Sequence, residues 1–131
     1  MTIGAVQSAA MDMHFEGVVF QTHAAELSRR LARPFPPYAV LDVRPAADFA
    51  QGHIPGARSV TVEQIRRGLP AGVAPGAEVI VVGEGPEDSM ARATTKALRR
   101  AGCRRIVELP GGMSEWRAVG GALEQGAAQA A

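Results

Sequence analysis

Cysteine occurs once in the 131 residues, at Cys103. A single thiol forms no intramolecular disulfide, and zinc sites built from two or more cysteines are excluded. Neither sign of charge dominates: 14 Lys and Arg stand against 13 Asp and Glu, a net of +1. That balance gives no reason to expect nucleic acid or an anionic membrane as the main partner, and neither is expected. No apolar run approaches the roughly 20 residues that a membrane-spanning helix needs. The N-terminal stretch MTIGAVQSAAMDMHFEG lacks a basic n-region and carries Asp12, so it does not read as a signal peptide. A reduced, cytoplasmic setting is the expectation. His14, His23 and His53 show no ligand spacing, so no metal site is expected, and no cofactor is implied.

What is present is an alternation of short apolar strands with amphipathic helices. VVFQ (18–21) reads as a short strand. THAAELSRRLA follows with Leu27 and Leu31 one turn apart and Arg29, Arg30 and Arg33 outside, a helix that either Thr22 or His23 caps. Prolines in RPFPPY stop it. AVLDV (39–43), EVIVV (78–82) and RIVEL (105–109) are continuous apolar runs of the kind buried inside parallel sheets. PAADFAQG reads as a short helix, RSVTV alternates like a strand, and EQIRRGL is a helical piece. DSMARATTKALRRAG is a helix with Asp88 as N-cap, Gly102 past its end, and Met90, Ala93, Ala97 and Leu98 along its inner side. PGGMSEWRAVGG is a turn and a last helix. The fold class is therefore α/β, with a mostly parallel sheet between two helical layers. The expected organisation is a loose arm over 1–17, one domain over 18–123 and a mobile tail over 124–131. In such sheets function sits in loops at the carboxyl ends of strands, here RPAADFAQGHIPGA and GEGPEDS.

The segment LDVRPAADFAQGHIPGA closely resembles the signature of rhodanese-like domains, with Asp42, Arg44, Asp48, Phe49, Gly52, His53, Ile54, Pro55, Gly56 and Ala57 in place. LRRAGCRRIVELPGGMSEWRAVG resembles that family's ending through Gly111, Gly112 and Trp116. The resemblance implies a three-layer α/β/α fold with a sheet of about five strands, and a sulfurtransferase chemistry. Sulfane sulfur passes from a donor such as thiosulfate to a cysteine, and onward from the persulfide to a thiol or cyanide. In that family the cysteine opens a six-residue loop after the central strand. N–H groups of the loop and the following helix stabilise its thiolate.

Matching VIVV to that strand puts Glu84 at the cysteine position. The loop becomes Glu84, Gly85, Pro86, Glu87, Asp88 and Ser89, without a nucleophile and without the basic residue at its end. A carboxylate holds no persulfide sulfur, and three acids repel a dianionic donor. Two placements of Glu84 stay open: its carboxylate fills the anion cradle and accepts loop N–H groups, or it points to solvent. Asp42 and Arg44 read as framework polar groups, His53 as a structural hydrogen-bonding residue, and Trp116, Phe49 and Phe20 as core. Cys103 reads as a buried, inert thiol. RRAGCRR reads as a solvated basic face. The expected function is a binding or regulatory module without sulfur transfer, meeting a protein or small molecule at loop 84–89. That loop's acidity would suit a basic partner. The alternative is an enzyme of the same superfamily with a cysteine-independent activity, using Glu84 or Glu87 as general base.

Overall fold

The computed structural model describes residues 20–32 and 38–126. The arm expected over 1–17 and the end of the tail lie outside them. Five parallel strands form one sheet in the order β1-β5-β4-β2-β3, with β1 Phe20–Gln21, β2 Tyr38–Asp42, β3 Arg58–Ser59, β4 Glu78–Val82 and β5 Arg105–Leu109. The helices are α1 Ala24–Leu31, α2 Ala46–Gln51, α3 Val62–Arg66, α4 Ser89–Arg100 and α5 Gly112–Ala118.

Successive strand residues point to opposite faces, and the three long strands are apolar on both. Val40, Ile80, Val82, Val107 and Leu109 pack under α1, α2 and α5 with Leu27, Phe49, Met113 and Trp116. Leu41, Val79, Val81 and Ile106 pack under α3 and α4 with Ile65, Ala97, Leu98 and Cys103. Two-sided burial explains why these strands read as unbroken apolar runs. It also defines the three layers.

Of the two caps left open for α1, His23 is the N-cap, without a side-chain cap bond, while Thr22 donates to Glu26 at 2.8 Å. The structure departs from the sequence expectations at four places. The strand over RSVTV stops at Ser59, because Thr61 and Gln64 form a reciprocal capping box that starts α3 at Val62. On α4 the inner side is Thr94, Thr95, Ala97 and Leu98, and Met90 is 42% exposed. Phe20 is 49% exposed rather than core, because β1 is an edge strand paired only with β5 among the described residues. The tail is tied down at its start: Glu124 and His53 exchange backbone hydrogen bonds of 2.8 and 2.9 Å, and Gly126 N–H donates to Ala50 O.

Candidate functional site

Parallel pairing brings three strand ends to one rim. Asp42 stands opposite Val82, and Val82 opposite Leu109. Each chain therefore leaves the sheet at the same level. Two residues beyond Asp42 is Arg44, and two beyond Val82 is Glu84. The register makes them neighbours.

Asp42 and Arg44 form a buried ion pair, their side chains 1% and 4% exposed. Arg44 Nε and Nη2 donate to the Asp42 carboxylate at 2.9–3.2 Å, and Nη2 also donates to Gly52 O at 2.7 Å. Burial acting alone would lower the Arg44 pKa. The hydrogen bonds and negative charges of Asp42 and Glu84 outweigh it and raise the pKa, so the guanidinium stays charged. The pair ties β2 to the end of α2, which is a framework task.

Glu84 does not fill the anion cradle; it lies outside it, exposed but held by neighbouring side chains. Its side chain is about half exposed. It accepts from Arg44 Nη1 at 3.5 Å, from Ser114 Oγ at 3.3 Å and from Arg117 Nη2. No loop N–H is recorded as a donor to it among the described residues. The anion held by the loop is instead the Asp88 carboxylate. Asp88 Oδ2 accepts Glu84 N–H and Oδ1 accepts Met90 N–H, both at 2.8 Å. It closes the loop on itself and caps α4, where a negative charge also suits the helix dipole. A Cβ built on Gly83 would fall 2.5 Å from Asp88 Oδ2 and 2.8 Å from its Cγ. A side chain at position 83 would therefore enter the space that the Asp88 carboxylate fills.

The Gly111–Gly112 turn closes the rim from the β5 side. Met113 N–H donates to Gly83 O and Ser114 N–H to Glu84 O, both at 2.9 Å. Gly112 has φ +57°, and a Cβ there would lie 2.5 Å from Gly83 O. Gly56 has φ +82° but open space around it. Gly56→Ala is expected to cost only backbone strain, about 1–2 kcal/mol. Gly112→Ala is expected to exceed it by roughly 1–3 kcal/mol of forced overlap. Urea unfolding of the two variants measures the difference, and equal losses would show that the close approach is not required.

The remaining residues singled out in the sequence lie around this rim rather than in it. His53 is buried and stacked on Phe49, ring centroids 3.7 Å apart, with Nδ1 2.8 Å from Phe49 O. Gly56 N–H, in the turn after Pro55, donates to Glu124 Oε1. Asp48 is exposed on the first turn of α2. Trp116 is buried and donates from Nε1 to Ala122 O. Glu87 and Ser89 are exposed. Cys103 is buried on the α3–α4 side of the sheet. Burial pushes its thiol pKa up, against a smaller lowering from the Arg105 backbone and the Arg99 charge. Ser114 and Arg117 escaped the sequence reading. Their only signal was position on the helix after Gly111–Gly112, and the register that aims that helix at Glu84 is not written locally.

The crevice beside the loop is small, about 140 Å³, between Gly83, Pro86, Asp88, Arg92 and Glu108. Ligand sites that enclose a small molecule run to roughly 300–1,000 Å³. Among the described residues no three His, Cys, Asp or Glu side chains are grouped to hold a metal ion. No helix among them is long and apolar enough to cross a membrane.

With five parallel strands, two helical layers and this rim, the class is a rhodanese-type α/β domain. The rhodanese-like domain family profile matches residues 23–119, and the chain belongs to that family. The rhodanese-like domain of the Alr3790 protein from Anabaena is 31% identical, with a TM-score of 0.70, covering 82% of this chain and 80% of that one. A thiosulfate sulfurtransferase from Pseudomonas aeruginosa is 27% identical, with a TM-score of 0.66, over 83% of this chain and 20% of that one. An HTH-type transcriptional regulator from Mycobacterium tuberculosis is 33% identical over 103 residues, 79% of this chain and 44% of the regulator. The chain thus spans less than half the length of that relative.

Proposed function

We propose that this rhodanese-like domain transfers no sulfur and acts as a binding or regulatory module. The observation that carries the reading is the Asp88 carboxylate. It lies where a side chain at position 83 would project, and it uses the N–H groups of Glu84 and Met90. The same geometry favours Gly83 over Glu84 as the position that corresponds to the family's cysteine. A side chain at 83 points into the loop, whereas that of Glu84 leaves it towards Arg44 and Arg117. Neither residue is a nucleophile for sulfane sulfur. A fixed internal carboxylate also opposes entry of a dianion.

A protein partner is favoured over a small molecule, because the crevice beside the loop is too small to enclose one. The rim is less acidic than the sequence implied. Glu84 is paired with two arginines and Asp88 with two N–H groups, which leaves Glu87 as the loop's one acid without a partner among the described residues. The regulator named among the relatives is consistent with a regulatory module. The second reading, general-base catalysis by Glu84 or Glu87, is disfavoured, and Glu87 is exposed. A carboxylate base is tuned towards neutral pH by burial, whereas the Glu84 carboxylate is half exposed between two guanidiniums.

The unmodified chain is expected to form no thiocyanate from thiosulfate and cyanide above the uncatalysed rate. Turnover abolished by Cys103→Ser would overturn the reading. Partners captured by the chain should be lost when Glu84 and Glu87 are both changed to Gln, and an unchanged set would count against a binding role for the rim.

A further inference from the structure

The near-neutral net charge conceals a segregation between the two helical layers. Segments 61–68 and 89–105, which contain α3 and α4, hold Arg66, Arg67, Arg92, Lys96, Arg99, Arg100, Arg104 and Arg105. They contain one acid, Glu63, which pairs with Arg66. Eight of the 14 cations thus lie there, and the rest of the chain carries six cations against twelve acids. On α4 itself Arg92, Lys96 and Arg100 are exposed at four-residue spacing, and Arg104 is exposed just beyond the helix end. None of these four makes an ion pair among the described residues. Four residues of helix rise about 6 Å, so the cations follow one another at about one per turn along a helix of about 18 Å. The inner side of α4 is consumed by the core, which leaves this outer stripe as its free face.

We propose that the outer face of α4 docks an acidic segment of a protein partner, one that presents a carboxylate about once per helical turn. Charge complementarity selects the sign, and the spacing selects a helical partner of the same pitch. A duplex fits less well. Its charge continues at about one per 1.7 Å of axis, beyond the stripe and past Glu87 and Asp88 at the start of α4. The helix also offers no aromatic side chain for a base to stack on. A short acidic helix meets the stripe alone. Solvation would be the whole role of these cations only if no such helix bound.

The test uses the full chain and a fluorescent helix of five Glu-Ala-Ala-Ala repeats, followed by anisotropy at low and physiological salt. A Gln-Ala-Ala-Ala helix and a duplex DNA of about 20 base pairs serve as competitors. The glutamate helix is expected to bind, more weakly as salt rises, and the glutamine helix not to bind. Arg92→Ala combined with Lys96→Ala and Arg100→Ala keeps good helix formers on α4. It is expected to weaken binding about tenfold, as the loss of three exposed ion pairs implies. A control with Ala25→Glu, Ser28→Glu and Arg29→Glu on the exposed side of α1 is expected to bind within about twofold of the unmodified chain. Absence of binding would overturn the proposal, as would unchanged binding by the alanine variant or an equal loss in the α1 control. Tighter binding of the duplex would assign the face to nucleic acid instead. Amide shifts confined to the 83–88 loop on titration would likewise sink it while leaving the proposed role of the rim intact.

Discussion

Gly83→Cys combined with Asp88→Ser is expected to take up sulfur from thiosulfate where the unmodified chain takes up none. The glycine change alone fails on geometry. A Cβ at 83 meets the Asp88 carboxylate at 2.5 Å, so the new thiol and the old acid compete for one space. Serine at 88 removes the charge and the bulk, and it remains a good N-cap for α4. The N–H groups of Glu84 and Met90 are then free to face a thiolate rather than a fixed carboxylate. Two oriented donors and a helix terminus lower a thiol pKa and stabilise the anion that attacks the donor. Persulfide is expected to form at least about a hundredfold faster than on a thiol without such donors, the order that oriented N–H groups contribute to anionic transition states. Cyanolysis of the trapped persulfide measures it. Glu84→Cys provides the contrast, because its thiol would sit towards Arg44 and Arg117, away from the N–H groups of Glu84 and Met90. If Glu84→Cys outperforms the double variant, Glu84 and not Gly83 corresponds to the family's cysteine.

Arg44→Ala is expected to be the most destabilising single change at the rim. It strands the Asp42 carboxylate, whose side chain is 1% exposed, with its guanidinium partner removed. It also leaves Gly52 O without the Nη2 donor. Breaking a buried pair by deleting one member costs roughly 3–5 kcal/mol. For a domain of this size that corresponds to a fall in Tm of about 10–20 °C. Arg117→Ala, at a half-exposed pair with Glu84, should cost below about 1 kcal/mol. Calorimetry of the two variants separates the framework arginine from the surface one. Comparable losses would contradict the division of roles.

Much of the fold was legible because the core strands are buried on both faces. AVLDV, EVIVV and RIVEL needed no register to be recognised as strands, and the signature around Asp42, His53 and Gly56 specified the layers between them. Local chemistry failed where a neighbour decided. RSVTV alternates, yet Thr61 and Gln64 cap a helix in its second half. Met90 has an apolar side chain, yet the rotation of α4 turns Thr94 and Thr95 inward and leaves Met90 outside. The site was half legible. The acids of the loop were visible as a departure from a sulfurtransferase pattern. Which acid turns inward depends on the backbone path from Gly83 to Asp88, and on Ser114 and Arg117, which draw Glu84 the other way. No spacing rule encodes those contacts.

The central proposal is that this domain keeps the rhodanese-like scaffold and carries no sulfur. Intact mass of the native chain after incubation with thiosulfate tests it most directly. A persulfide needs a reactive thiol, and the only thiol is Cys103, buried with its pKa raised on the face of the sheet under α3 and α4. The expected result is an unchanged mass. A stoichiometric gain of one sulfur atom, reversed by cyanide, would contradict the account.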